Sequence, residues 1–310
     1  MEHGDSDRHD TEHGATEHGR NMPVLVGVDG SQSSLGAVRW AADLCARTQA
    51  PLHLIHGVVQ SKWYAAHEGS LLLGGQGVHE RLRAAGDKAL TEAVDIVHDS
   101  APGVDVVTSL LDGSIVHHLH NLSARARLIA VGVGHSGRLR DLVLGSHVMP
   151  IIHGAQCPVM AWREPPAQRT ETGSIVVGFD GSAGAEDALL AALDHARSTG
   201  ARVTIASFWP VSALVGVGYA TTLVDWDTIC TDGERWLARR CAAACEKYPE
   251  VAVDYAYEDS SPGRGLVGLS ATAGLVVVGS RGRGGVTSTL LGSVGENVIH
   301  HARCPVLVVR

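Results

Sequence analysis

The 310-residue chain is poor in lysine, in aromatic side chains and in long apolar runs. Only Lys62, Lys88 and Lys247 are lysines, among 25 basic residues, and none lies near a glycine-rich loop. No G-x-x-x-x-G-K-[ST] phosphate loop occurs, and no G-x-S-x-G nucleophile turn. The chain carries a formal charge of −8, so the basic face that nonspecific nucleic-acid binding requires is not expected. No apolar run approaches the roughly 20 residues that span a bilayer. The N-terminus is polar from Glu2 to Asn21 and has no signal-peptide core. Six cysteines (Cys45, Cys157, Cys230, Cys241, Cys245 and Cys304) form no C-x-x-C, which removes zinc-ribbon and thioredoxin-type spacings. A cytoplasmic protein is expected, with no membrane and no nucleic-acid partner.

What the chain does have is apolar content of 45% with aromatics at 4%, so its cores are built from Val, Leu, Ala and Ile. It is also written twice. "VLVGVDGS" at 24–31 returns as "IVVGFDGS" at 175–182, and "LIAVGVGHSGRLRDLVLGS" at 128–146 returns as "LVVVGSRGRGGVTSTLLGS" at 275–293. "CPVMAWR" at 157–163 returns as "CPVLVVR" at 304–310. Three ordered matches at nearly one spacing make a tandem duplication. The expected organisation is a disordered tail 1–21, a first domain 22–163, a linker 164–172 around Pro165-Pro166, and a second domain 173–310. The tail repeats Glu-His-Gly and holds His3, His9, His13 and His18, read as a solvated segment rather than a metal site.

Each copy alternates short β-branched runs with longer helical patterns. Strands are expected at 24–28, 52–58, 104–110, 128–132 and 158–162, and again at 175–179, 202–208, 251–257, 275–279 and 305–309. Helices are expected at 32–48, 77–99, 114–124 and 147–154, and at 183–199, 226–247, 263–273 and 294–302. The alternation implies βαβ units. Two tandem doubly wound α/β domains follow, each a five-stranded parallel sheet in the order 3-2-1-4-5 flanked by helices. The terminal strands 158–162 and 305–309 would each leave an open apolar edge, so they are expected to pair with one another. The chain would then be an internal pseudo-dimer, able to form a homodimer in turn.

Two turns in each copy carry chemistry. The first, Asp29-Gly30-Ser31 and Asp180-Gly181-Ser182, follows a central strand, at the crevice where open α/β sheets bind ligands. Its serine can cap the next helix, and its carboxylate can favour that helix end or accept hydrogen bonds from a ribose. The second follows strand four: Gly279-Ser280-Arg281-Gly282, nine residues, then Gly292-Ser293 at the start of the last helix. Glycines there allow close backbone approach, and the first amides of a helix form an anion site.

The pattern G-2x-G-9x-G-[ST], the "VGFDGS" turn and the terminal "CPVLVV" strand, in order and twice, resemble the universal stress protein family. The resemblance covers 22–163 and 173–310. It implies ATP, with Mg²⁺ held through the phosphates, and a regulator of stress, dormancy or growth with an unidentified protein partner. Carried over by residue, Gly178, Phe179 and Asp180 would border the adenosine, Asp180 on the ribose, and the main chain at Phe208 would meet the adenine. Gly279 and Gly282 would bracket the ribose and α-phosphate. Gly292, Ser293 and Val294 would donate to the outer phosphates.

In copy one, Gly27, Val28, Asp29, Gly132, Gly145 and Ser146 fit the same pattern. His135 stands where the second loop glycine belongs, and His147 replaces Val294, so copy two is the stronger candidate. The literal G-x-G-x-x-G at 132–137 follows strand four rather than strand one, which argues against a dinucleotide site. No general base is recognisable beside a γ-phosphate, so no catalytic residue is assigned and a binding protein is expected; the alternative is a slow ATPase or an ATP-using transferase. The His117, His118 and His120 cluster is read as surface residues and the Cys241/Cys245 pair as core, with no metal assigned.

Overall fold

A computed structural model describes residues 22–59, 75–134, 147–164, 174–210, 226–282 and 291–310. The tail 1–21 and most of the linker lie outside them. The first repeat forms β1 (Val24–Gly27), α1 (Gln32–Thr48), β2 (Leu52–Val58), α2 (Gly75–Ser100), β3 (Val106–Asp112), α3 (Ile115–Ser123), β4 (Leu128–Gly132), α4 (Val148–Gly154) and β5 (Val159–Trp162). The second forms β6 (Ile175–Gly178), α5 (Ala183–Thr199), β7 (Val203–Phe208), α6 (Trp226–Cys245), β8 (Val253–Glu258), α7 (Pro262–Leu269), β9 (Leu275–Gly279), α8 (Ser293–His301) and β10 (Val306–Val309).

Every expected element is present. Most bounds agree within two residues, β3 and β8 each starting two residues later than their apolar patterns; the largest difference is at α7, which ends at Leu269 rather than 273. There Ser270 caps the helix and Ala271 and Thr272 switch to short-range turn bonds onto Gly268 and Leu269. None of the described helices is long and apolar enough to cross a membrane.

The chain divides into two compact units that do not coincide with the repeats. Among described residues the first holds 22–134, 147–151 and 155–157, and the second holds 152–154 and 158–310. In the first unit the order β3-β2-β1-β4 is wholly parallel. In the second, β8-β7-β6-β9-β10 is the expected order 3-2-1-4-5, again parallel. Strand β5 of the first repeat belongs to the second unit, where it pairs antiparallel with β10 (Val306 opposite Ala161, Val308 opposite Val159). The terminal strands therefore pair as expected, and the apolar edge of β10 is covered.

Arginines lock this end of the second unit. Arg163, just past β5, is buried and donates to Ala302 O at 2.5 Å and to Ile299 O, the carbonyl end of α8. Arg310, just past β10, donates to Ile152 O and, at 2.8 Å, to His153 O, the carbonyl end of α4. Each repeat's last arginine thus satisfies the last carbonyls of the other repeat's final helix, a favourable place for a cation.

The central strands are buried on both faces: Val24, Val26, Leu52, Leu54, Ile129 and Ala130 in one unit, Val177, Val203, Ile205, Val276 and Val277 in the other. A buried serine sits at the same place in each copy. Ser123 Oγ accepts Gln156 N and donates to His120 O, and Ser270 Oγ accepts Arg303 N and donates to Val267 O.

Candidate functional site

The strand-to-helix turn after the first strand of each copy takes the conformation its residues predict. Gly30 and Gly181 have φ of 78° and 80°, which only glycine adopts without cost. Ser31 Oγ accepts Ser34 N to cap α1, and Ser182 Oγ accepts Ala185 N to cap α5. Asp29 Oδ1 accepts Ser31 N at 2.9 Å, and Asp180 Oδ1 accepts Ser182 N at 3.0 Å and Ser182 Oγ at 2.6 Å. Both aspartates thus build the turn itself. Burial raises the Asp29 pKa, but hydrogen bonds from the Ser31 hydroxyl and backbone and from Ser34 outweigh it and hold the group below 3.8.

In the second unit these elements open onto a cavity of about 490 Å³, within the range of small-molecule sites. All nine residues singled out in copy two line it: Gly178, Phe179, Asp180, Phe208, Gly279, Gly282, Gly292, Ser293 and Val294. One wall is apolar, made by Ala206, Phe208, Pro262, Leu266 and Val278. The other end holds the start of α8 and the Asp180 turn. The chain has two phenylalanines, and both stand here. The Phe208 ring packs on α7, where a Cβ on Gly265 would lie 2.0 Å from it.

The glycines divide by role. A Cβ on Gly279 would lie 2.5 Å from Gly184 O, and one on Gly132 would lie 2.4 Å from the Ser33–Ser34 peptide. The first loop glycine therefore lets strand four pack on the first helix of its own copy, in both copies. Gly282 differs: a Cβ there would stand 2.7 Å from Asp180 Oδ2, so this glycine clears the carboxylate. Gly292 lines the cavity, but its N–H is engaged by Ser280 O at 3.1 Å. The amides aimed outward at the helix start are those of Ser293, Val294 and Gly295, which precede the first intrahelical bond, Glu296 N to Gly292 O. Gly292 is expected from the resemblance to donate to a ligand; in this structure its N–H is already bonded, and Gly295 lines the cavity beside Ser293 and Val294.

Copy one offers part of the same set. Gly27, Val28, Asp29 and Gly132 occupy the equivalent strand ends. Val28 N bonds Ile55 O, as Phe179 N bonds Ala206 O, while Val28 O accepts His56 Nδ1 at 2.7 Å. Gly145, Ser146 and His135 lie outside the described residues. His147 is the N-cap of α4 but makes no side-chain cap bond, and Pro150 falls within the first turn, where proline is accepted.

The histidine cluster of α3 is held by separate partners: His117 pairs with Asn121, His118 donates to Asp112 O, and His120 donates to Pro150 O. Among the described residues no group of three or more His, Cys, Asp or Glu could hold a metal ion. Burial pushes the Cys241 thiol up to about 12 and also raises Cys245, which leaves neither as a thiolate at neutral pH.

The motif search did not reach the apolar wall. Ala206 is an ordinary small residue of a buried strand, and Pro262 and Leu266 an i, i+4 pair that reads as core. One signal was available: comparing the two copies position by position shows Ala206 against Ile55 and Pro262 against Ile115.

Comparison with known proteins agrees with this geometry. The model of the universal stress protein family matches residues 21–163 and 171–310. A universal stress protein of Mycolicibacterium smegmatis is 34% identical over 300 residues, covering 96% of this chain and 98% of its own. Universal stress protein Rv2623 of Mycobacterium tuberculosis is 32% identical over 300 residues, covering 94% and 97%. Among solved structures, a universal stress protein from Archaeoglobus fulgidus superposes with a TM-score of 0.67 at 18% identity, covering 93% of this chain and 98% of that one. Two family matches in tandem, over a fold that carries the paired turns and the cavity, place this chain in the universal stress protein family as a two-domain member.

Proposed function

We propose that the second copy binds ATP and that the protein is a nucleotide-dependent regulator in stress, dormancy or growth control. The observation that carries this reading is the two-ended cavity. Its apolar wall of Ala206, Phe208, Pro262 and Leu266 suits a flat base. Its far end presents the first-turn amides of α8, an arrangement that favours phosphate, with Arg281 at the mouth. Asp180, between them, is placed to accept from ribose hydroxyls. Among the described residues the cavity lining holds one carboxylate, Asp180, so Mg²⁺ would be ligated chiefly by phosphate oxygens and water.

The groups at the phosphate end are amides, a serine hydroxyl and a guanidinium, which bind and orient. The reading is therefore of a binding protein rather than an enzyme. Nucleotide binding would favour one conformation of the protein over another and so change the surface offered to a protein partner.

The test is Gly292→Asp, read by calorimetry with ATP and Mg²⁺. A Cβ at 292 meets nothing nearer than Ser280 O at 4.0 Å, and Asp is a good N-cap, so the fold is expected to hold. The new charge stands beside the phosphates, and binding is expected to disappear, while Gly292→Asn retains it. Unchanged ATP binding in Gly292→Asp sinks the reading. Sustained phosphate release that disappears in Asp180→Ala would favour the ATPase alternative.

A further inference from the structure

We infer that the chain takes up one nucleotide, in its second copy, because the first copy fills its own nucleobase subsite with side chains. This rests on the ATP reading above and concerns how many of the two equivalent sites are open.

The equivalence of positions follows from register. Gly27 is opposite Ile55 in the first unit, and Gly178 is opposite Ala206 in the second. The third helix begins with Ile115 after Ser114 in one copy and with Pro262 after Ser261 in the other. Leu119 and Leu266 follow one turn later. The wall that copy two builds from Ala206, Phe208, Pro262 and Leu266 is thus Ile55, Gly57, Ile115 and Leu119 in copy one.

Three differences close it. Ile55 is three carbons larger than Ala206 and is fully buried. Ile115 adds a side chain where copy two has Pro262: a leucine overlies the first-strand glycine in both copies, Leu119 at 3.6 Å from a Cβ on Gly27 and Leu266 at 3.0 Å from one on Gly178, but only in copy one does a second residue of the third helix, Ile115 with its Cγ1 at 3.8 Å, stand among the three nearest atoms. Third, the helix itself comes down. A Cβ on Gly57 would lie 2.8 Å from Ile115 N and 2.9 Å from Gly113 O, so backbone stands where copy two has room for the Phe208 side chain. Gly265, which receives the Phe208 ring, is replaced by His118, whose imidazole is tied to Asp112 O at 2.9 Å.

The phosphate end differs too. Helix α8 has 9 residues and an extended N-cap at Gly292, with φ −68° and ψ 154°. Helix α4 has 7, starts two positions later in the repeat, and its N-cap His147 is in the helical region at φ −103° and ψ −19°. Among the described residues, both ends of the copy-one site therefore depart from the copy-two geometry.

The experiment is ATP titration of the whole chain with Mg²⁺, read as stoichiometry, beside Ala206→Ile, which imports the copy-one residue. The expected result is one ATP per chain in the parent protein, and affinity lowered about tenfold or more in Ala206→Ile with an unchanged melting temperature. Thermal unfolding checks the fold of the variant. If that variant is destabilised, labelling of the parent protein with 8-azido-ATP, followed by peptide mapping, reads the site directly and should mark second-copy peptides alone. Two ATP per chain, label on first-copy peptides, or one full-affinity site surviving in a folded Ala206→Ile overturns the inference. Failure of the parent protein to bind any ATP overturns the proposed function instead.

Discussion

The two copies share their strand order, their Asp-Gly-Ser turns and the glycine that lets strand four meet the first helix, yet they differ in what lies above the strand ends. In copy two a small residue, a proline and a ring displaced onto Gly265 leave a cavity of about 490 Å³. In copy one two isoleucines and a lowered helix occupy the corresponding space. A duplication can keep the framework and change the space above it, because the two are built by different residues. The framework depends on backbone conformation and close approach. The cavity depends on side-chain volume at four positions of the second strand and third helix.

The largest effect that sharpens this comparison should be common to both copies. Gly279→Ala and Gly132→Ala each place a Cβ within 2.5 Å of helix backbone, so each is expected to cost more than about 3 kcal/mol in urea unfolding. A cost well under 1 kcal/mol in either would break the claim that this glycine is structural in both.

Next come the arginines. Arg163→Met removes a buried donor from two helix-end carbonyls, and a loss of about 2–4 kcal/mol is expected. Arg310→Met should behave alike, since Arg310 does the same for α4. Burial lowers the Arg163 pKa, partly offset by Cys304, but the group stays charged at neutral pH, so the loss should hardly vary between pH 6 and 9.

The smallest effect is local to copy one. The Asp29 carboxyl should titrate below 3.8, and Ser31→Ala should move it upward, both visible by NMR. Because the folded value is the lower one, the stabilisation is present above the ordinary carboxylate pKa and is lost as pH falls through the folded value.

Much of this was legible in the chain before folding. Periodicity located the elements, since apolar alternation and helical spacing are local properties. The repeats supplied the turns, and Asp-Gly-Ser announced its own geometry, because a positive φ, an Asx turn and an N-cap are each decided within four residues. The family resemblance implied nine residues that do line one cavity. It did not tell that Gly279 serves packing, that the Gly292 amide is already spoken for, or that Gly295 faces the cavity. Those depend on neighbours brought from other elements.

The sequence by itself determined the duplication, the α/β framework and the loops that face the crevice. Tertiary structure decided which compact unit owns β5, which carbonyls receive Arg163 and Arg310, and which copy keeps an open cleft. The physical reason is range. The Arg163 bonds join residues 136 and 139 positions apart, and the approach of the Ile115 backbone to Gly57 joins a strand to a helix that starts well beyond the intervening α2 and β3. Such contacts are set by side-chain volume and packing after the chain has folded, and short-range pattern carries no record of them.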